Sequence, residues 1–289
     1  MKTFMNHGRI YRYTAIGRPL DPAWPSNRAI MILMPVAAIA GLGISLAQNA
    51  SIWSAMLSAA NYALAVFGTW ALAREMLPDD HAAAFVSVAL GFLSCIAFAR
   101  PGLLTLFATL GLVRIVNRST GLCARIGDSL VVALLVVWAI YASACPWLGA
   151  VAALAFFLDG VLKKPLKRQW LFASISFGAM VVFMVDHDVV WWRVFVPDSL
   201  LEWLSVMALL LFSMYLLMLK KVHAKGDVGQ ERLELERVRA GMAIGVLATL
   251  QGLDAMPATI LLVATIGGLC IGNTLRRAFR NPIKGLRAG

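Results

Sequence analysis

The sequence predicts an all-α, polytopic integral membrane protein with about ten transmembrane helices, several of them short Pro-turned hairpins, and with both termini inside. Three observations carry that expectation. Of 289 residues, 60% are hydrophobic and only 14% charged, with a mean hydropathy of +0.77, against roughly 45–50% and about 25% in an ordinary soluble domain. The apolar residues gather into ten windows that are nearly free of charge. Counting alternate connections between those windows as inside places 24 of the 26 Lys and Arg on one side and leaves Arg100 and Arg193 on the other. Basic residues resist translocation, so such a split is hard to obtain by chance and favours these spans in this orientation.

The elements follow in order. A basic arm over 1–28, carrying Lys2, Arg9, Arg12, Arg18 and Arg28, precedes windows at about 29–47 and 52–73. Arg74 and the 74–81 connection lead to windows at 82–99 and 101–116, then to Arg114, Arg118 and Arg125 and to windows at 129–144 and 147–161. Lys163, Lys164, Lys167 and Arg168 separate these from 170–185 and 199–219. The mixed-charge connection 220–239 then leads to 240–253 and 257–275, and 276–289 forms a basic tail. Several windows hold only 14–18 residues, short of the roughly 20 a typical bilayer asks for, so they are expected to rely on neighbours that shield them. The first window is too long and starts too late for a secretory signal, so it is expected to remain as a span.

Cysteine and histidine usage narrows the chemistry. Cys95 and Cys270 fall in apolar windows, Cys123 in a basic connection and Cys145 at a turn, and all four are expected as free thiols. His7, His81, His187 and His223 are spaced too widely for a multi-histidine metal or haem motif.

Three stretches share the outline of a helical hairpin with a proline at the outer turn: Pro101, Pro146 and Pro257. Residues 101–117 laid on 257–273 give seven identities in seventeen, including Pro101/Pro257, Thr109/Thr265, Gly111/Gly267 and Asn117/Asn273. Two membrane helices of similar composition also match by chance, but aligned Pro, Thr and Asn at one register favour a parallel repeat. The small pairs Gly241/Gly245 and Ala264/Gly268 are expected to bring the two helices of the last hairpin together.

Most polar residues with chemical potential collect at the inner face. Arg74 and Glu75 close the second window ahead of Asp79, Asp80 and His81; Arg114, Asn117 and Arg118 close the fourth; Asp128 opens the fifth. Asp159 ends the sixth, four residues before Lys163, and a local ion pair between them is expected. An acidic pair such as Asp79 and Asp80 suits Mg²⁺, and Arg74, Arg114 and Arg118 suit phosphate oxygens. Asp79, Asp80, Asp128 and Asp159 are therefore candidate metal or acid–base groups, and Arg74, Glu75, Arg114, Asn117 and Arg118 candidate substrate contacts. The competing reading is that the same charges pair with one another and fix loops. Asn61, near the middle of the second window, needs an interhelical partner or lines a substrate path. Outside, Asp186, His187 and Asp188 form a weak metal candidate, beside Trp191, Trp192 and Trp203, which read as an interfacial aromatic belt.

Three function classes follow. A carrier or permease for a small polar or anionic substrate is favoured by the number of spans and the hairpins. A cytoplasmic-face enzyme acting on a lipid-linked or prenyl phosphate substrate is the alternative, although the Asp-rich signatures of such enzymes are not present in full. A non-catalytic membrane subunit, a homo-oligomer or an assembly factor is the third. The expected surroundings are a bacterial inner membrane with anionic lipids against the basic face. Nucleic acid is not needed to explain a charge of +11 that topology already explains.

Overall fold

The computed structural model describes residues 10–98, 101–189, 196–228 and 230–280. Ten α-helices make up the described chain: α1 Pro25–Ala47, α2 Ile52–Met76, α3 His81–Ala97, α4 Leu103–Asn117, α5 Ile126–Ser143, α6 Leu148–Val161, α7 Gln169–Asp186, α8 Leu200–Met218, α9 Leu235–Leu250 and α10 Met256–Arg280. Among the described residues, β-pairing is confined to one isolated antiparallel bridge between Lys225 and Arg232.

Local chemistry explains where the helices start and stop. Pro25 opens α1, where its missing N–H costs nothing. Ser51, Asp80 and Ser199 cap α2, α3 and α8 by accepting from Ser54 N, Ala83 N and Glu202 N. Asp128 reaches back from the first turn of α5 to accept from Arg125 N at 2.9 Å. Arg118 ends α4 in a left-handed conformation, with φ of 50°.

Six stretches, Pro25–Ala47, Ile52–Met76, Ile126–Ser143, Gln169–Asp186, Leu200–Met218 and Met256–Ala278, are long and apolar enough to cross a membrane. The bundle carries large apolar side chains on its outside, such as Leu134, Trp138, Leu210 and Leu217. That arrangement suits hydrocarbon surroundings rather than water. The shorter helices α3, α4 and α6 are apolar as well. At 15 residues α4 is about 22 Å long by axial rise. It is also the most enclosed helix, in contact with α2, α5, α6, α9 and α10, and none of its side chains is exposed. A 15-residue helix so enclosed exposes little surface whose length must match a bilayer, so its shortfall carries little mismatch cost.

The expected use of small residues is corrected. Gly241 lies against Asn117 of α4, Gly245 against Met76 of α2, and Gly268 and Gly272 against Ser87 and Ala83 of α3, so a Cβ at Gly268 would collide with the Ser87 backbone. These residues join the last hairpin to the rest of the bundle and do not close it on itself. The cause is the break at 251–255, with its 3-10 turn Leu253–Ala255, which separates α9 from α10. Each then packs mainly elsewhere, α9 on α4 and α10 on α3. The proline ends of the two compared stretches touch: Gly102 N–H donates to Pro257 O at 3.0 Å and Thr105 Oγ1 to Ala258 O. All four cysteines are free thiols.

Candidate functional site

One end of the bundle gathers the charged groups, and the arm of residues 10–24 folds across it. The last turn of α2 places Glu75 beneath that arm with its side chain 1% exposed. Its Oε1 accepts from Arg114 Nε of α4 at 3.1 Å and from Arg18 Nη1 of the arm at 3.2 Å. Arg18 turns its other face to Asp227, with Nε and Nη2 each at 2.7 Å, the two-point fork that suits a guanidinium and a carboxylate. Burial disfavours the charge on Arg18, but Glu75 and Asp227 beside it outweigh that and raise its pKa. Tyr11, near the same aspartate, has its phenol pushed up to about 12, chiefly by burial and then by the Asp227 charge.

Two further candidates join this cluster. Asn117 Nδ2 donates to Glu75 O at 2.8 Å and ties α4 to α2. Arg74 lies 5.3 Å from the centre of the Trp70 ring and donates from Nη1 to Ser26 Oγ at 2.9 Å. Arg74 Nε and Trp70 Nε1 are buried without hydrogen-bond partners, and the Ser119 hydroxyl faces the Glu75 carboxylate. Three guanidinium groups thus gather near two carboxylates, with Arg18 and Arg114 paired to them and Arg74 bonded to Ser26 instead, its Nε left unused. Such a group can exchange one carboxylate contact for a phosphate or carboxylate brought by a ligand.

Asp159 forms a second, separate cluster. It is fully buried at the end of α6; Oδ1 accepts from Arg118 Nε and Arg237 Nη1, each at 2.8 Å, and Oδ2 from Gln169 Nε2 at 2.9 Å. The expected pair with Lys163 is not formed. The helix stops at Val161, the Lys163 side chain swings outward to 70% exposure, and its Nζ meets Glu234 at 3.1 Å. Other guanidinium hydrogens bind carbonyls, Arg118 Nη1 to Lys164 O, Arg237 Nη1 to Val116 O and Arg237 Nη2 to Lys163 O, and Arg118 Nη1 also reaches Cys123 Sγ at 3.0 Å.

The other acidic candidates each hold a piece of chain in place. Asp79 accepts from the backbone N–H of His223 and Ala224, which anchors the 220–234 connection. Asp80 caps α3 and pairs with Arg276 at 3.0 Å. Asp128 accepts from Thr14 Oγ1, Ala15 N and Arg125 N, which fastens the arm to α5. Among the described residues no three His, Cys, Asp or Glu are placed to share a metal ion. His187 stacks on Phe183 at 4.1 Å beside Asp186, and Asp188 follows in a left-handed conformation. Asn61 is half-buried on α2, and its side chain makes no hydrogen bond among the described residues.

Arg18, Asp227, Arg237 and Gln169 are the residues that sequence reasoning passed over. The signal for the last two was Asp159 itself, because a carboxylate on an apolar helix needs several donors. Arg18 and Asp227 lie in the arm and a connection, and nothing in their spacing pairs them. No known protein family, curated protein or solved structure matches the chain.

Proposed function

We propose that the chain is a multi-pass carrier of the inner membrane, with both termini and the basic face in the cytoplasm, and that it recognises a small anion bearing phosphate or carboxylate groups at the Arg18–Arg74–Arg114 cluster. The observation that carries this reading is the surplus of guanidinium over carboxylate around buried Glu75, together with the unpaired Nε of Arg74. Arginine is suited to such ligands because its planar donors match their oxygens. In this reading all ten helices span, in the orientation that leaves 24 of 26 basic residues inside.

The arm supplies the moving part. Arg18 bridges Glu75 on α2 and Asp227 on the 220–234 connection, so lifting it would uncover Arg114 and Glu75 together. The hairpins α3–α4 and α9–α10 are read as parallel repeats. Exchanging them carries the α3–α10 contact onto the α9–α4 contact, and the glycine-lined contacts between them give smooth faces for one to rock on the other. Enzymatic use of Asp79, Asp80, Asp128 and Asp159 has less support, since each already accepts from backbone or arginine. The carrier reading does not require Mg²⁺.

The test is thermal unfolding of the full-length protein in detergent, titrated with inorganic phosphate, glycerol phosphate and citrate, followed by anion flux in liposomes. A saturable rise in stability is expected for at least one anion. It should vanish in Arg114→Gln, and the same anion should cross wild-type liposomes. Unchanged stability with every anion, or binding that survives Arg114→Gln, overturns the site; binding without flux overturns the carrier.

A further inference from the structure

We propose that the turn between α6 and α7, with the groove above it, is a docking site for one anionic phospholipid of the inner leaflet. The site is separate from the Glu75 cluster and does not depend on what that cluster binds. Two independent features meet there. The first is a shallow groove of about 380 Å³, wide open on the outer surface of the bundle, lined by Ala153, Leu154 and Phe157 of α6 and Ala173, Ser174 and Phe177 of α7. The lining is apolar except for Ser174, whose hydroxyl is already donated to Trp170 O. The second is the basic turn Lys163-Lys164-Pro165-Leu166-Lys167-Arg168, in which all four basic residues are exposed.

Helix geometry aligns the two. Leu154 and Phe157 lie about two turns and one turn before α6 ends at Val161, and Ala173 and Phe177 about one and two turns into α7. The groove therefore opens directly above the lysines. Trp170, half exposed and packed on Phe157 at 6.0 Å, stands at the boundary between them, where indole prefers the headgroup level. An acyl chain fills the groove while the phosphate meets the ammonium groups, the complementarity that draws polybasic segments to anionic leaflets.

What distinguishes this turn from an ordinary basic loop is that its backbone is fixed. Arg237 and Arg118 donate to Lys163 O and Lys164 O, and both are held in turn by buried Asp159. Lys164 is kept in a left-handed conformation, with φ of 58°, which lysine adopts only when its surroundings impose it. Lys163 is partly neutralised by Glu234, but Lys164 and Lys167 have no acidic partner among the described residues. A preformed pair of free ammonium groups at the mouth of an apolar groove reduces the ordering cost of binding.

The experiment compares retention of phosphatidylglycerol and phosphatidylcholine of identical acyl chains by the full-length protein, read by native mass spectrometry after detergent exchange. Wild type should retain phosphatidylglycerol preferentially. The doubly substituted Lys164→Asn, Lys167→Gln protein should lose about thirtyfold in preference, which is two surface charges at about 1 kcal/mol each, with 1.4 kcal/mol per tenfold. Asn is chosen at 164 because it tolerates the left-handed backbone, and circular dichroism checks the fold. Filling the groove by Ala173→Leu with Ser174→Leu should lower retention with the lysines intact. Equal retention of both lipids, retention unchanged in the lysine variant, or displacement by glycerol phosphate as effectively as by whole lipid would each overturn the proposal.

Discussion

Replacing Asp159 by asparagine isolates the charge at the centre of the second cluster. The two side chains have the same shape, so no cavity opens. Asparagine still presents one carbonyl oxygen, which can take the Oδ1 position between Arg118 and Arg237. Its amide would face the Gln169 amide, but Gln169 Oε1 is buried without a partner, and a flip of that side chain turns the clash into a hydrogen bond. Hydrogen bonding therefore survives, and what disappears is the negative charge between two arginines that are 7% and 4% exposed. Two buried guanidinium groups then face each other with Glu234 at 3.9 Å from Arg237 Nε as the nearest acid. Uncompensated buried charge of this kind costs about 3–5 kcal/mol. The assay is reversible unfolding of the purified protein by titration with sodium dodecyl sulfate, with Lys163→Ala as the comparison. That exposed pair should contribute no more than about 1 kcal/mol. A loss below about 1 kcal/mol for Asp159→Asn would refute the argument, because it would mean that water already screens the triad.

Three further outcomes follow from the same geometry. Gly268→Leu should destabilise by about 1–3 kcal/mol or more in the same titration, since its side chain must force α10 away from the Ser87 backbone; stability equal to wild type would contradict the close approach. Arg18→Gln should release the arm and make residues 10–24 accessible to protease at least several-fold faster, because it removes the fork to Asp227 and the contact with Glu75; unchanged cleavage kinetics would show that the Thr14 and Ala15 bonds to Asp128 suffice. Alkali should loosen the arm as well. The Tyr11 phenol is raised from 10.0 to about 12, so the folded state holds its proton more tightly, and the stability this contributes is complete below pH 10 and lost as pH rises toward 12. Tyr11→Phe should flatten that part of the pH–stability curve, and a curve identical to wild type would sink the assignment.

The helices were legible because they are written in composition. Windows free of charge over 15 residues or more must be helical in hydrocarbon, and the helix ends fall near Asp80, Arg118 and Ser199, where cap or end chemistry is local. Arg74, Glu75, Arg114 and Asn117 were recognisable as one group because each ends a helix at the same face. Pairing across elements was not legible. Asp159 lies 41 residues from Arg118 and 78 from Arg237, and at that distance in sequence a carboxylate's nearest visible cation, Lys163, is a poor guide. The small residues misled for the same reason. A glycine marks a close approach without naming the helix that approaches, and the break at 251–255 decided that in favour of α3, α4 and α2.

The same acidic residues explain how a strongly basic face holds together. In the ten-span reading 24 cations fall on one side, and the structure sets arginines against one another at the ends of packed helices. The chain meets this with single buried carboxylates that each serve two arginines from different elements. Glu75 joins α4 to the arm, and Asp159 joins α4 to α9. Each carboxylate thereby turns repulsion between elements into a link, and leaves a net positive remainder beside it. Around Glu75 that remainder lies under the arm with Arg74 Nε unused; beside Asp159 it faces outward as lysines below the apolar groove. One device for tolerating excess charge thus leaves cationic groups at two places, one covered by the arm and one exposed at the turn between α6 and α7, and these are the two places at which an anion is proposed to bind.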